Sequence, residues 1–286
     1  MQTLPHADGV VIGGFTDHHV HLQLVDHTLL AGSRLGRVVD LGGNPRFVSS
    51  LRSSLNDQSH VRRTSIEFAG AFLTPVGGYP SDRAWAPAGS FREIASEADA
   101  AAAVTEMADA GASRTKVASN STAGPVFDDD MFRTIVELAA ARGLPIVAHA
   151  EGAGEAQRAV RLGATALAHA PFTERLSDDE IREQAASVVW TSTLSIHDAT
   201  ARATAVDNVR RFHAAGGTVR YGTDMGNGPT PVDLNPHEID ALREAGVEGA
   251  DLLRILDPVD PSHPASVRLL LPAGDPDPLH AQILKV

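Results

Sequence analysis

A (β/α)8 barrel is the fold this sequence predicts, and three observations lead there. Short apolar segments alternate with helical ones along most of the chain. From about residue 91 most helices run into a glycine, and four to six mostly apolar residues follow it. Glycine just past a helix takes the left-handed conformation that ends it, and so short an apolar segment suits a parallel strand buried on both faces. Finally, the first strand is not followed by the Gly-rich phosphate loop of an open doubly wound sheet, the other architecture that this alternation allows.

In chain order, Val10–Phe15 reads as a buried strand running into Thr16-Asp17-His18-His19-Val20-His21. Asp26–Ser33 is expected to be helical and Gly36–Leu41 a second strand. Gly42-Gly43-Asn44-Pro45 is a turn, Arg46–Leu55 a helix, and Ser65–Leu73 a third strand ending in the loop Thr74–Pro80. Then come helix Ala98–Ala110, strand Ser113–Ala118, helix Asp128–Arg142, strand Leu144–Ala148, helix Glu155–Leu162 and strand Ala164–Ala168. Helix Ser177–Ala186, strand Val188–Thr193, helix Thr200–Ala215 and strand Thr218–Tyr221 continue the series, and helices Pro236–Ala245 and Gly249–Leu256 close it. Eight strands result, the number that closes such a barrel. The expected organisation is a lead over 1–13, the barrel over 14–257, and a proline-interrupted tail over 258–286. The tail would hold short strands at Val267–Leu271 and Ala281–Val286, packed outside the barrel against residues 9–13.

Composition narrows the function. Of 286 residues, 43% are hydrophobic and 21% charged, enough for one large core. A net charge of −12 argues against nucleic acid as a partner. No apolar run approaches the roughly 18 residues of a membrane helix, and no basic-then-apolar leader opens the chain. Cysteine is absent, so disulfides and thiol catalysis are excluded. These features fit a cytoplasmic protein acting on a small molecule, with a homo-oligomer left open.

Side chains two apart on a strand share a face. His19 and His21 therefore point one way and His18 the other. Further polar residues stand at matching places: Lys116 five residues after Gly111, His149 six after Gly143, His169 six after Gly163, and Asp224 seven after Gly217. In a barrel these positions converge on one mouth, where active sites lie. Imidazole and carboxylate suit zinc and similar divalent ions. Lys116 needs a separate explanation, because only it and Lys285 are lysines in a chain that otherwise uses arginine. An ammonium would repel metal ions. A buried amine that loses its proton can take up CO2 to give an anionic carbamate able to bridge two ions, which arginine cannot do. Each residue has a plainer reading as well. His149 or His169 alone could be a core histidine, Asp224 a turn residue, and Lys116 an ion-pair or Schiff-base lysine. Asp17 reads as a partner orienting a ligand or as a strand-end polar residue. Tyr79, Asn120, His197 and Asn227 follow strands and are candidate substrate contacts, or ordinary loop residues. His6, His60, His213, His263 and His280 have no motif around them and read as surface.

The segments GFTDHHVHL, VVDLGG, FLTPVGGYP, GASRTKVAS, GLPIVAHAEG, GATALAHAPF and YGTDMGN together resemble the amidohydrolase superfamily, in its imidazolonepropionase/Xaa-Pro dipeptidase-like branch. The resemblance spans roughly residues 10–257. It implies a binuclear centre of zinc, or of manganese, cobalt or iron. His19 and His21 would hold one ion and His149 and His169 the other. Carbamylated Lys116 would bridge them, and Asp224 would ligate and take the proton of the attacking hydroxide. The implied reaction is hydrolysis of a C–N amide bond in a dipeptide, N-acyl amino acid or cyclic amide. Lactone or phosphotriester hydrolysis on the same centre and a non-catalytic binding barrel are the alternatives. Two features depart from the pattern. The terminal β-sandwich common among relatives is reduced to stubs, and Glu151 stands where many relatives place a further histidine.

Overall fold

A parallel ladder that closes on itself organises the molecule. The computed structural model describes residues 1–56 and 63–284. His60, Lys285 and the last residues of the expected strand Ala281–Val286 lie outside them. Strands β1 (Leu4–His6) and β2 (Gly9–Gly13) precede the ladder. Its first sheet is β3 (Phe15–Val20), β4 (Leu35–Asp40) and β5 (Ser65–Phe68), paired in parallel in that order. Its second comprises β6 (Phe72–Pro75), β7 (Phe91–Ile94), β8 (Thr115–Asn120), β9 (Ile146–Glu151), β10 (Ala166–Leu167), β11 (Val189–Thr191) and β12 (Thr218–Arg220). Their order is β12-β11-β10-β9-β8-β6-β7, with every pair parallel.

Two seams turn the sheets into a ring. The expected strand Ser65–Leu73 is present as two halves, β5 and β6. Between them the Ala69 amide donates to the Asp40 carbonyl at 2.8 Å and the Gly43 amide to the Gly70 carbonyl at 3.0 Å. The first half thus belongs to β4 and the second to β8. On the other side, the His18 amide donates to the Tyr221 carbonyl at 2.9 Å and the His21 amide to the Met225 carbonyl at 2.8 Å. These bonds join the segment after β12 to β3. Gly222 is needed at this seam, because a Cβ there would lie 2.3 Å from Thr191 Cγ2 and 3.1 Å from His19 Cβ.

Helices α1 (Pro45–Asn56), α2 (Glu97–Asp109), α3 (Asp129–Ala140), α4 (Glu155–Arg161), α5 (Asp178–Ala185), α6 (Ala199–Ala214), α7 (Pro236–Glu244) and α8 (Gly249–Ile255) flank the ladder. Ser96, Asp128, Ser177, Asp198 and Asn235 cap five of them, each accepting from a first-turn amide. Such a cap contributes about 1 kcal/mol. Trp190 of β11 stacks on Phe212 of α6 at 3.8 Å, typical of how strands and helices share the core.

Three local expectations change. The single strand expected over Val10–Phe15 is broken, and the first barrel strand is β3, so His18 and His19 lie within it. The break follows from tight passage: a Cβ on Gly13 would lie 1.9 Å from the Val259 carbonyl oxygen, and one on Gly14 would lie 2.5 Å from the Gly36 nitrogen. The helix expected over Asp26–Ser33 is a 3-10 helix, His27–Gly32, capped by Asp26. Strand β7 was not foreseen and pairs with the outer edge of β6. The expected contact of the tail with residues 9–13 is present. Strand β13 (Arg268–Pro272) pairs antiparallel with β2, Leu269 opposite Ile12, and β14 (Gln282–Ile283) extends that sheet.

Candidate metal centre

Alternation along β3 sends His19 into the ring and His18 out of it, and His21 follows just past the strand end. His19, His21, Lys116, His149, His169 and Asp224 line one cavity of about 170 Å³, together with Tyr79, Glu151, His197 and Asn227. All six of the first set are buried. The structure places the six side chains around one cavity, Lys116 arriving from a different depth. Lys116 is the second residue of β8, opposite Val147, whereas His149 lies two residues further along β9. Its four-carbon stem, not its place at a strand end, delivers the amine to the cavity.

Hydrogen bonds fix which imidazole nitrogens face inward. Nδ1 of His19 donates to the Ala168 carbonyl at 2.8 Å, and Nδ1 of His21 to the Gly42 carbonyl at 3.0 Å. In the neutral form each Nε2 faces the cavity, and the two lie 3.2 and 3.0 Å from Oδ1 of Asp224. The Gly42 carbonyl reaches His21 because residue 42 has no Cβ, which would sit 2.0 Å from the Phe72 ring. Glu151 accepts from Nε2 of His149 at 3.1 Å, leaving Nδ1 a lone pair 3.0 Å from Nε2 of His169. Nδ1 of His169 meets the Thr193 hydroxyl at 2.9 Å.

Electrostatics favour the ligating form at His19, His169 and Asp224. At His21 burial would lower the pKa, but the hydrogen bond to Asp224 and the charges of Asp224 and Asp40 outweigh it and raise the pKa. Burial, reinforced by neighbouring Lys116, holds the His19 pKa well below its usual value; burial and the neighbouring histidines do the same to His169. Burial lowers Lys116 to about 7, against the pull of Asp224 and Asp40. For Asp224, burial alone would raise the pKa, but His19 and His21 outweigh it and hold it well below the carboxylate range. Asp224 also adopts a left-handed backbone, φ 53°, and Thr193 one of 44°. Each costs on the order of 1–2 kcal/mol. Asp17 helps to hold this geometry. It accepts from the amides of His19 and Thr223 at 3.0 and 3.1 Å and from the Thr223 hydroxyl at 2.6 Å, joining β3 to the segment that carries Asp224.

Among the candidate ligands three buried atoms have no hydrogen-bond partner, His19 Nε2, Lys116 Nζ and Asp224 Oδ1, with His197 Nε2 a fourth on the cavity wall. Such atoms are costly unless something satisfies them. Of the three on candidate ligands, two are electron-pair donors, and the third becomes one when its amine is neutral. His19, His169 and Asp224 each present an atom within 4.8 Å of the others. The donor set therefore fits divalent cations.

Of the candidate substrate contacts, Tyr79, His197 and Asn227 line the cavity. The Tyr79 ring stacks on His149 at 4.9 Å, and Asn227 Nδ2 donates to Asp224 at 2.9 Å. Asn120 does not line it and instead donates to Glu151, which does, at 2.7 Å. Asp40, at the end of β4, was passed over. It is buried beside His21 and accepts from the amides of Leu22 and Gly42 at 2.8 and 3.1 Å. The rule that found the other residues, a polar side chain ending an apolar strand, would have found it.

Residues 76–255, 180 of the 286, match the Amidohydrolase family, and the chain belongs to that family. As a member of that family it is an enzyme of the amidohydrolase type. The structure resembles the ochratoxinase of A. niger, with a TM-score of 0.71 and 16% identity over 96% of this chain and 82% of that one. It also resembles a prolidase complexed with N-methylphosphonate-L-proline, with a TM-score of 0.65 and 18% identity over 91% and 79%. A Xaa-Pro dipeptidase with bound methionine gives 0.62 and 18% over 94% and 82%. No curated protein matches the sequence. Among the described residues no helix is long and apolar enough to cross a membrane.

Proposed function

We propose that this protein is a binuclear metal-dependent hydrolase of C–N amide bonds, acting in the cytoplasm. The observation that carries the reading is the trio of buried, unpartnered atoms His19 Nε2, Lys116 Nζ and Asp224 Oδ1 in one cavity. His19 and His21 would hold one ion, His149 and His169 the other, and Lys116, as a carbamate formed with CO2 and loss of a proton, would bridge them. Zinc suits this donor set best, with manganese, cobalt or iron as alternatives. When bound, the ions polarise the scissile carbonyl and lower the pKa of water towards 7.

The chain's own residues do the rest. Asp224, ionised and held by Asn227, accepts the proton of the attacking water. It returns that proton to the leaving nitrogen as the C–N bond breaks, so that one water and one amide become a carboxylic acid and an amine. Burial pushes the Tyr79 pKa up, so its hydroxyl stays protonated and can donate to the carbonyl oxygen. Burial lowers His197 to about 4, which leaves it a neutral hydrogen-bonding wall.

The test is elemental analysis of protein grown with zinc or manganese, followed by a panel of amides, lactones and phosphotriesters. Two equivalents of metal with turnover of amides is the expected result. Turnover confined to lactones or phosphotriesters would move the reaction to another electrophile. Two bound ions with no turnover at all would make this a binding barrel.

A further inference from the structure

Glu151 is a carboxylate in the cavity that the proposed chemistry does not use. It ends β9 two residues after His149, so alternation aims it at the same mouth. Its Oε2 accepts from His149 Nε2 at 3.1 Å and from Asn120 Nδ2 at 2.7 Å. Its Oε1 has a 3.4 Å contact with the Thr122 hydroxyl. The side chain keeps 28% exposure where the candidate ligands are nearly closed off. Charge makes the position unusual. Among the described residues lining this cavity and the adjoining one of about 310 Å³, Glu151 is the sole charged group outside the candidate ligand set, and none is an arginine. Arg83 lies 5.8 Å over the Tyr79 ring, pairs with Asp82, and lines neither cavity. The remaining walls are flat and uncharged: Phe172 stacks on His197 at 4.1 Å, and Tyr79 faces Trp85 at 6.0 Å.

We infer that Glu151 determines specificity, selecting substrates with an ammonium group beside the scissile amide and an uncharged, aromatic or apolar leaving group. An open carboxylate in a confined cavity attracts a substrate cation and repels a substrate carboxylate. Among the described residues lining the two cavities, none outside the candidate ligand set offers a cation to a carboxylate-bearing leaving group. The substrate class this points to is the aminoacyl amide with a free α-amine, in preference to the N-acyl amino acid. The inference rests on the hydrolase reading above, and its test separates the two.

Three probes suffice: phenylalanine anilide, N-acetylphenylalanine anilide and N-benzoylphenylalanine. On the metal-loaded enzyme, kcat/KM for the free amine is expected to exceed that for its acetylated partner by about 10-fold or more, the scale of a charge-assisted contact. The carboxylate is expected to be the poorest. Glu151→Gln should bring the ratio of the first two close to one. A ratio that Glu151→Gln does not move, or an equal fall for all three probes, would overturn the inference. The equal fall would mean that Glu151 acts only by orienting His149. Calorimetric binding of the same probes to the Asp224→Asn protein needs no turnover and should give the same order. If no amide is hydrolysed but that order holds, the hydrolase reading fails and the selectivity stands. If the carboxylate binds best, the selectivity fails.

Discussion

The two faces of strand β3 carry two clusters of charge that obey opposite rules. On the outer face His18 meets Asp257 at 3.1 Å, and Asp257 also takes Arg37 at 2.7 Å and Arg220 at 3.2 Å. Arg37 reaches Glu67 at 3.6 Å, and Glu67 pairs with Arg114. Each charged side chain there has a protein partner. One atom of that cluster, Arg37 Nε, is buried without a partner, whereas in the inner cavity four are: His19 Nε2, Lys116 Nζ, Asp224 Oδ1 and His197 Nε2. Their environment also drives Lys116 towards its neutral form, whereas Asp257 is driven to stay charged. The contrast separates structure from chemistry. A charge that the fold satisfies holds the barrel together, and a lone pair that the fold leaves bare is available to a ligand.

The sharpest way to break the comparison is Asp224→Asn. It should lower kcat by about 10²- to 10⁴-fold, the range of a lost acid–base group, with the circular dichroism spectrum unchanged. A variant that kept full turnover would remove the inner cluster from the chemistry. Lys116→Gln comes next. Bound metal should fall from two equivalents towards one, read by elemental analysis, because an amide side chain cannot become a carbamate. Unchanged stoichiometry would leave Lys116 as an ordinary buried amine.

Asp257→Asn should do the reverse of Asp224→Asn, leaving kcat/KM unaltered and lowering stability. Burial alone would raise the Asp257 pKa, but the His18 hydrogen bond and the charges of Arg220 and Arg37 outweigh it and hold it at about 2, against 3.8 in an unstructured chain. Because the folded value is depressed, the contribution is complete above about pH 4 and disappears as pH falls through about 2. For a group partly open to solvent that contribution is about 1–2 kcal/mol. Urea midpoints of the two proteins should differ at pH 7 and converge between pH 4 and 2. A constant difference across that window would mean that the outer cluster acts through packing and not through charge.

Much of this was legible in the sequence, for local reasons. Alternation alone sorts His19 and His21 from His18. The scarcity of lysine singles out Lys116, and the glycines that end the preceding helices set the frame in which His149, His169 and Asp224 line up. Readings that depended on distant contacts did not survive as stated. The continuity expected over Val10–Phe15 fails because Val259 and Gly36 press on Gly13 and Gly14. Asn120 looks like a free loop side chain until Glu151, 31 residues later, claims it. Asp257 owes its role to His18, 239 residues away, which no pattern of spacing reveals. Glu151 was visible only as a departure from a family pattern, and the charge of its surroundings becomes meaningful once the cavity walls are known.

The opposite orientation of His18 and His19 on β3 also bears on how such a chain can change over generations. Substitutions on either face can be tried one at a time, because each cluster answers to its own surroundings. Inserting or deleting one residue between Phe15 and His19 is another matter. It would turn His18 inward and His19 outward together, placing a lone pair among arginines and emptying a corner of the cavity. Lineages carrying this strand can therefore vary the letters around Asp17 and His19 but are held to its length.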